Sequence, residues 1–217
     1  MLQSTRNPFL TSVYSRWHKE IFADLAAILL GGPAAAWGMA DFLAQPVPRT
    51  MTYRPGGAHP TAYLRVQMLA EMLRRLGFAR DGERLARTWR VLYQSQRGHR
   101  IPPQLITSAT RAIPAVVDEI AFQTRRNLAH RALVDIIPFS NEDQQAIRQG
   151  AQALIRCQPR EAIRLPPRFL VSAAAYALAS GRVPPRRLAT QVINLLNQQP
   201  GNVRERPASQ AALRLVA

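Results

Sequence analysis

Apolar residues along this chain return every three or four positions, and nowhere do they alternate with the two-residue rhythm of a strand. The spacing predicts an all-α, multi-helix globular fold of roughly eight to ten helices. A first helix is expected from about Ser12 to Leu30, with Ile21, Leu25, Ile28 and Leu29 inward. Gly31, Gly32 and Pro33 end it, and Pro33, whose fixed φ suits a first helical turn, starts a second helix that runs to Leu43. Residues 45–60 (QPVPRTMTYRPGGAHP) hold four prolines and two glycines and form the clearest loop. Helix resumes near Thr61, reaches Leu76 and stops at Gly77. The stretch DGERLARTWRVLYQSQ then carries another amphipathic helix, with Leu85, Trp89, Leu92 and Tyr93 inward.

Three later segments begin alike: IPPQ at 101, LPPR at 165 and VPPR at 183. Two prolines at a helix start cost no intrahelical hydrogen bond, because the first-turn N–H groups have no carbonyl to reach. The intervals between the three are unequal, which excludes a solenoid repeat. FSNEDQQAIRQGAQALIRC adds a helix capped by Ser140 or Asn141, with Glu142 and Asp143 in the first turn. A basic tail is expected from about Gly201. A boundary near residues 96–103 would divide the chain into 1–98 and 99–217, with one continuous helical domain equally compatible.

Charge changes this picture. The formal net charge is +16, and Lys19 is the only lysine among 29 basic residues. Such a field attracts nucleic acid or an acidic protein. A stripe of Arg74, Arg75, Arg84, Arg87 and Arg90 is the candidate surface for a basic adaptor. The lone Cys157 excludes an intramolecular disulfide and any cysteine-based zinc cluster, and reads as a small buried thiol at a helix end. The longest uncharged run, Leu25 to Ala40, is interrupted by Gly-Gly-Pro and falls short of the roughly 20 residues that span a bilayer. A cytoplasmic protein is the expectation.

Two short stretches carry candidate chemistry. Glu20 and Asp24 stand one turn apart on the first helix and face one way. Two acids at the edge of an apolar face need a cation, a metal or a set of donors. Spacing alone leaves open whether Glu20 pairs with Lys19 or Arg16 and Asp24 with an arginine. His59 follows a Gly-Gly turn, and Arg65 lies one to two turns into the next helix. A histidine so placed can donate to an oxyanion, and an arginine can hold a carboxylate.

Taken together, EIFAD at 20–24 and HPTAYLR at 59–65 resemble elements of the gluzincin zinc peptidases of the HtpX and CAAX-prenyl-protease type. The resemblance covers about Trp17 to Leu76. It implies Glu20 as a zinc ligand, Asp24 as the acid that orients the site, His59 as a transition-state donor and Arg65 as its companion. In that family an HExxH helix precedes these elements and supplies two histidines and the general base. Ahead of Glu20 this chain has only His18, and His99 and His130 lie apart downstream. His18 is two residues from Glu20 and so faces another side of the helix. The expectation is therefore a partial or degenerate relative of such peptidases, without catalysis of its own. It would hold no cofactor unless two histidines from elsewhere complete a zinc site.

Overall fold

Asn7 opens the first helix, α1 (Pro8–Gly31), by accepting the Phe9 N–H at 3.0 Å on its side-chain oxygen. The computed structural model describes residues 7–93 and 100–199. Along α1 the buried positions Val13, Trp17, Ile21, Leu25 and Ile28 follow the helical period, as their apolar spacing requires. Gly32 takes a positive φ of 64°, which turns the chain off α1, and Pro33 begins α2 (Pro33–Leu43). A single turn, α3 (Val47–Thr50), interrupts the proline-rich loop. Buried Thr50 donates to the Gln45 carbonyl and accepts the Gln45 N–H.

α4 (Ala62–Arg75) ends where Gly77 adopts a φ of 89°. There the Phe78 N–H bonds to the Leu73 carbonyl and closes the last turn. α5 (Ala79–Tyr93) lies against α4 at close range. A Cβ on Gly82 would stand 2.5 Å from the Ala70 carbonyl oxygen, so glycine is what lets these two helices approach. α6 (Pro103–Val117) packs on α4 and continues past Pro114 into a π-helical turn, Asp118–Phe122.

The remaining helices are α7 (Leu133–Ile136), α8 (Asn141–Ile155), α9 (Pro159–Ala162), α10 (Pro167–Ala179) and α11 (Pro185–Gln198). Each double proline sits as expected: the first residue at the cap and the second as the first helical residue of α6, α10 and α11. α8 starts with a reciprocal cap, in which Ser140 Oγ accepts the Asp143 N–H and the Asp143 carboxylate accepts the Ser140 N–H. α8 packs on α10, where the Gln144 side-chain amide donates to Tyr176 Oη. The Ser172 hydroxyl donates to the Gly31 carbonyl, and the Phe139 ring fills the space where Gly32 would carry a Cβ.

The described residues form helices and no strand. The chain divides after Gln123 into two compact units, with Leu30–Ala34 counted in the second. That division falls later than residues 96–103 because α6 remains packed on α4. Two expectations are corrected. Cys157 is exposed, since α8 ends two residues earlier and Cys157 itself takes a left-handed φ of 56° as the chain turns away. Leu92 is exposed too, because the buried stripe of α5 runs through Gly82, Ala86, Trp89 and Tyr93 and leaves Leu92 at its edge. His99 and the tail from Gly201 lie outside the described residues. Among the described residues no helix is long and apolar enough to cross a membrane.

Candidate functional site

The first unit brings Glu20, Asp24, His59 and Arg65 to one place, between α1 and the start of α4. The loop that delivers His59 is pinned from both sides. The Tyr53 N–H bonds to the Arg100 carbonyl, and the Arg100 N–H bonds to the Met51 carbonyl. The Tyr53 ring meets Trp17 and Phe9 edge-on, while Arg16 donates to Tyr53 Oη. The chain then turns at Gly56, whose φ is 74°, and reaches His59 and α4.

Arg65 grips Asp24 with two bonds, Nε to Oδ2 at 2.5 Å and Nη2 to Oδ1 at 2.7 Å. Asp24 is buried, at 4% exposure, and Arg65 is half-buried, at 14%. Its bond to Asp24 makes the Arg65 guanidinium more basic than usual, outweighing the burial that opposes its charge. Glu20 and His59 lie outward of this pair, with side chains 32% and 73% exposed. His59 Nδ1 stands 3.0 Å from Glu20 Oε2, and Arg65 Nη2 stands 3.7 Å from the same oxygen. Burial is thus graded: a desolvated acid–arginine pair fixes the helix faces, and a carboxylate and an imidazole occupy the rim.

Asp24 is therefore partnered by an arginine, whereas Glu20 is partnered by His59 rather than by Lys19 or Arg16. The role of Tyr53 and Trp17 in seating the loop was not foreseen. A tyrosine amid prolines and glycines was the one signal that could have suggested it.

Does this cluster suit a zinc ion? A structural or catalytic zinc takes at least three protein ligands. The cluster offers one outward carboxylate and one imidazole, with a guanidinium already beside the carboxylate. Among the described residues no group of three His, Cys, Asp or Glu side chains is placed to hold a metal ion. His18 is exposed on α1, and His130 sits exposed in the second unit, at a positive φ of 59°. The described residues do not by themselves supply the ligands the metal needs, and no chemical step is assigned to it.

The five candidate arginines of α4 and α5 each have a partner within the unit. Arg74 pairs with Glu71 at 3.3 Å, and Arg75 pairs with Asp118 while lying over the Phe122 ring. Arg87 and Arg90 share Glu83, and Arg84 stacks over Trp37.

In comparisons with known proteins, no family model, curated protein or solved structure matches this chain. The helical fold and the four-residue cluster consequently stand on their own geometry.

Proposed function

We propose that this chain is a partial or degenerate relative of zinc peptidases of the HtpX and CAAX-prenyl-protease type, a cytoplasmic helical module that does not hydrolyse peptides on its own. The supporting observation is the meeting of Glu20 and Asp24 with His59 and Arg65, four residues drawn from two separate stretches of sequence. In this reading Asp24 and Arg65 hold the scaffold. Glu20 and His59 are one half of a site whose other half would be two histidines from outside these residues. The alternative is a basic adaptor for nucleic acid or an acidic protein; on α4 and α5 its candidate residues Arg74, Arg75, Arg84, Arg87 and Arg90 each have a carboxylate or an aromatic ring beside them.

The test is zinc content and peptide hydrolysis, measured on the purified chain and on its Glu20→Gln variant. The expected result is neither stoichiometric zinc nor zinc-dependent hydrolysis. One zinc per chain, with hydrolysis lost in Glu20→Gln, would overturn the claim of no independent catalysis. The intact mass of the protein from its source cells tests the relationship itself. Additional N-terminal residues carrying HExxH should give a longer protein whose zinc depends on Glu20. Zinc binding in that protein that is indifferent to Glu20→Ala would sink the relationship.

A further inference from the structure

We propose that the outer face of α10, in the second unit, is a docking surface for an acidic amphipathic helix of a protein partner. Its solvent face reads Arg168, Val171, Ala175, Leu178, the three-and-four spacing of a single helical stripe. Val171 and Leu178 are 56% and 49% exposed, although both are large and apolar. They lie two turns apart, about 10 Å along the helix. α11 packs against another side of α10, whose Ala173 and Ala177 are buried.

Charge defines what can cover this stripe. Arg168 lies at the start of α10, Arg164 just before it, and Arg182 just beyond its end, all exposed. Arg168 stacks over the Phe169 ring, and none of the three has an ion pair among the described residues. From Gln144 to Gln199 the sequence holds eight arginines against one acid, Glu161. An apolar strip with unpaired guanidinium groups at both ends complements a helix with apolar anchors two turns apart and carboxylates beyond them.

A nucleic acid fits less well. A phosphate backbone gains nothing from Val171 and Leu178, and base stacking needs exposed rings. The rings of this unit, Phe139, Phe169 and Tyr176, are buried or half-buried. The proposal is independent of the Glu20 cluster, which lies in the other unit.

The experiment uses the full chain and fluorescence anisotropy. The probe is a labelled, helix-stabilised peptide of about twenty residues, with two leucines two turns apart on one face and glutamates toward both ends. A scrambled peptide of the same composition, a single-stranded RNA of matched charge and phosphatidylserine vesicles serve as competing probes. The designed peptide should bind saturably, more weakly as salt is raised. The double variant Val171→Asp, Leu178→Asp should lose about tenfold in affinity or more, and Arg168→Glu with Arg182→Glu should lose a comparable factor. Val171→Ser with Leu178→Ser provides the same reading should the aspartates perturb folding, which circular dichroism monitors. The proposal is overturned if the designed peptide does not bind, or if the scrambled peptide binds equally well. It is also overturned if RNA or vesicles bind more tightly and ignore the changes at 171 and 178.

Discussion

Arg65 in the first unit is held by two bonds to a buried aspartate, whereas Arg164 and Arg186 in the second stand exposed with no ion pair among the described residues. The contrast extends to five further arginines of α4 and α5. Arg74, Arg75, Arg87 and Arg90 each have a carboxylate, and Arg84 has an aromatic ring. In the second unit Arg156, Arg164, Arg182 and Arg186 are exposed without an ion pair among the described residues. Arg187 donates to Cys157 Sγ at 3.2 Å and has no ion pair among the described residues. A total charge of +16 therefore says little about where a partner would bind. On α4 and α5 these arginines offset neighbouring acids, whereas Arg16, Arg49, Arg54, Arg80, Arg100 and Arg111 of the same unit are exposed without an ion pair among the described residues, like those of the second unit.

The sharpest way to break this comparison is to unpair Asp24 and Arg65. Arg65→Met leaves the buried Asp24 carboxylate without its partner and should cost about 3–5 kcal/mol, read by denaturant unfolding, with a smaller loss for Asp24→Asn, because half-buried Arg65 still has Glu20 at 3.7 Å. Asp24→Leu with Arg65→Met should recover most of that loss, because two apolar side chains leave no charge to desolvate. If the single variants cost less than about 1 kcal/mol, as exposed ion pairs do, the pair is not the anchor described. By contrast, Glu20→Gln, at the exposed rim, should stay below about 1 kcal/mol.

Alkaline pH probes the same unit through Tyr14. Burial pushes its phenol from 10.0 up to about 12, and its hydroxyl has no hydrogen-bond partner among the described residues. Between pH 10 and 12 the unfolded chain releases this proton while the folded chain retains it. The stabilising contribution is therefore complete below pH 10 and is lost as pH rises, by about 2–3 kcal/mol at the upper end. Tyr14→Phe should match the parent near pH 7 and lack this alkaline loss, as measured by urea unfolding at a series of pH values. An equal loss in both proteins would remove Tyr14 as its source.

Much of this structure was legible in the sequence, and the gaps have physical causes. The double prolines, the Ser140 cap and Gly77 are local signals, and local signals set where helices start and stop. Glu20, Asp24, His59 and Arg65 were readable as two pairs because each pair follows helical or turn spacing. Spacing did not encode their meeting, which was expected only from the resemblance; in the structure the ring of Tyr53, a residue between the two pairs in sequence, packs on Trp17. The exposure of Cys157 depended on α8 ending two residues earlier, a boundary that periodicity fixes poorly. The partners of the candidate stripe at Arg74–Arg90 were not legible, because a sequence lists charges without their neighbours in space. Only folding brought Asp118 against Arg75.

The second unit should depend on caps more than on ion pairs. Ser140→Ala removes the acceptor for the Asp143 N–H and should cost about 1 kcal/mol. A change well below that value would mean that the reciprocal cap contributes little to α8.

The smallest effects should come from the bare arginines themselves. Arg164→Gln and Arg186→Gln remove no bond and no buried surface, so each should alter unfolding stability by less than about 0.5 kcal/mol. Their sign is informative. In a unit with so many arginines and so few acids, removing one positive charge relieves repulsion, so both variants should be slightly more stable at low salt. Screening should shrink that gain as the Debye length falls from about 10 Å at 0.1 M toward about 3 Å at 1 M. Unfolding each variant at low and high salt checks this directly. A loss of stability that persists at high salt would mean that these side chains do pack or pair, and the opposition between the two units would narrow to the Asp24–Arg65 pair alone.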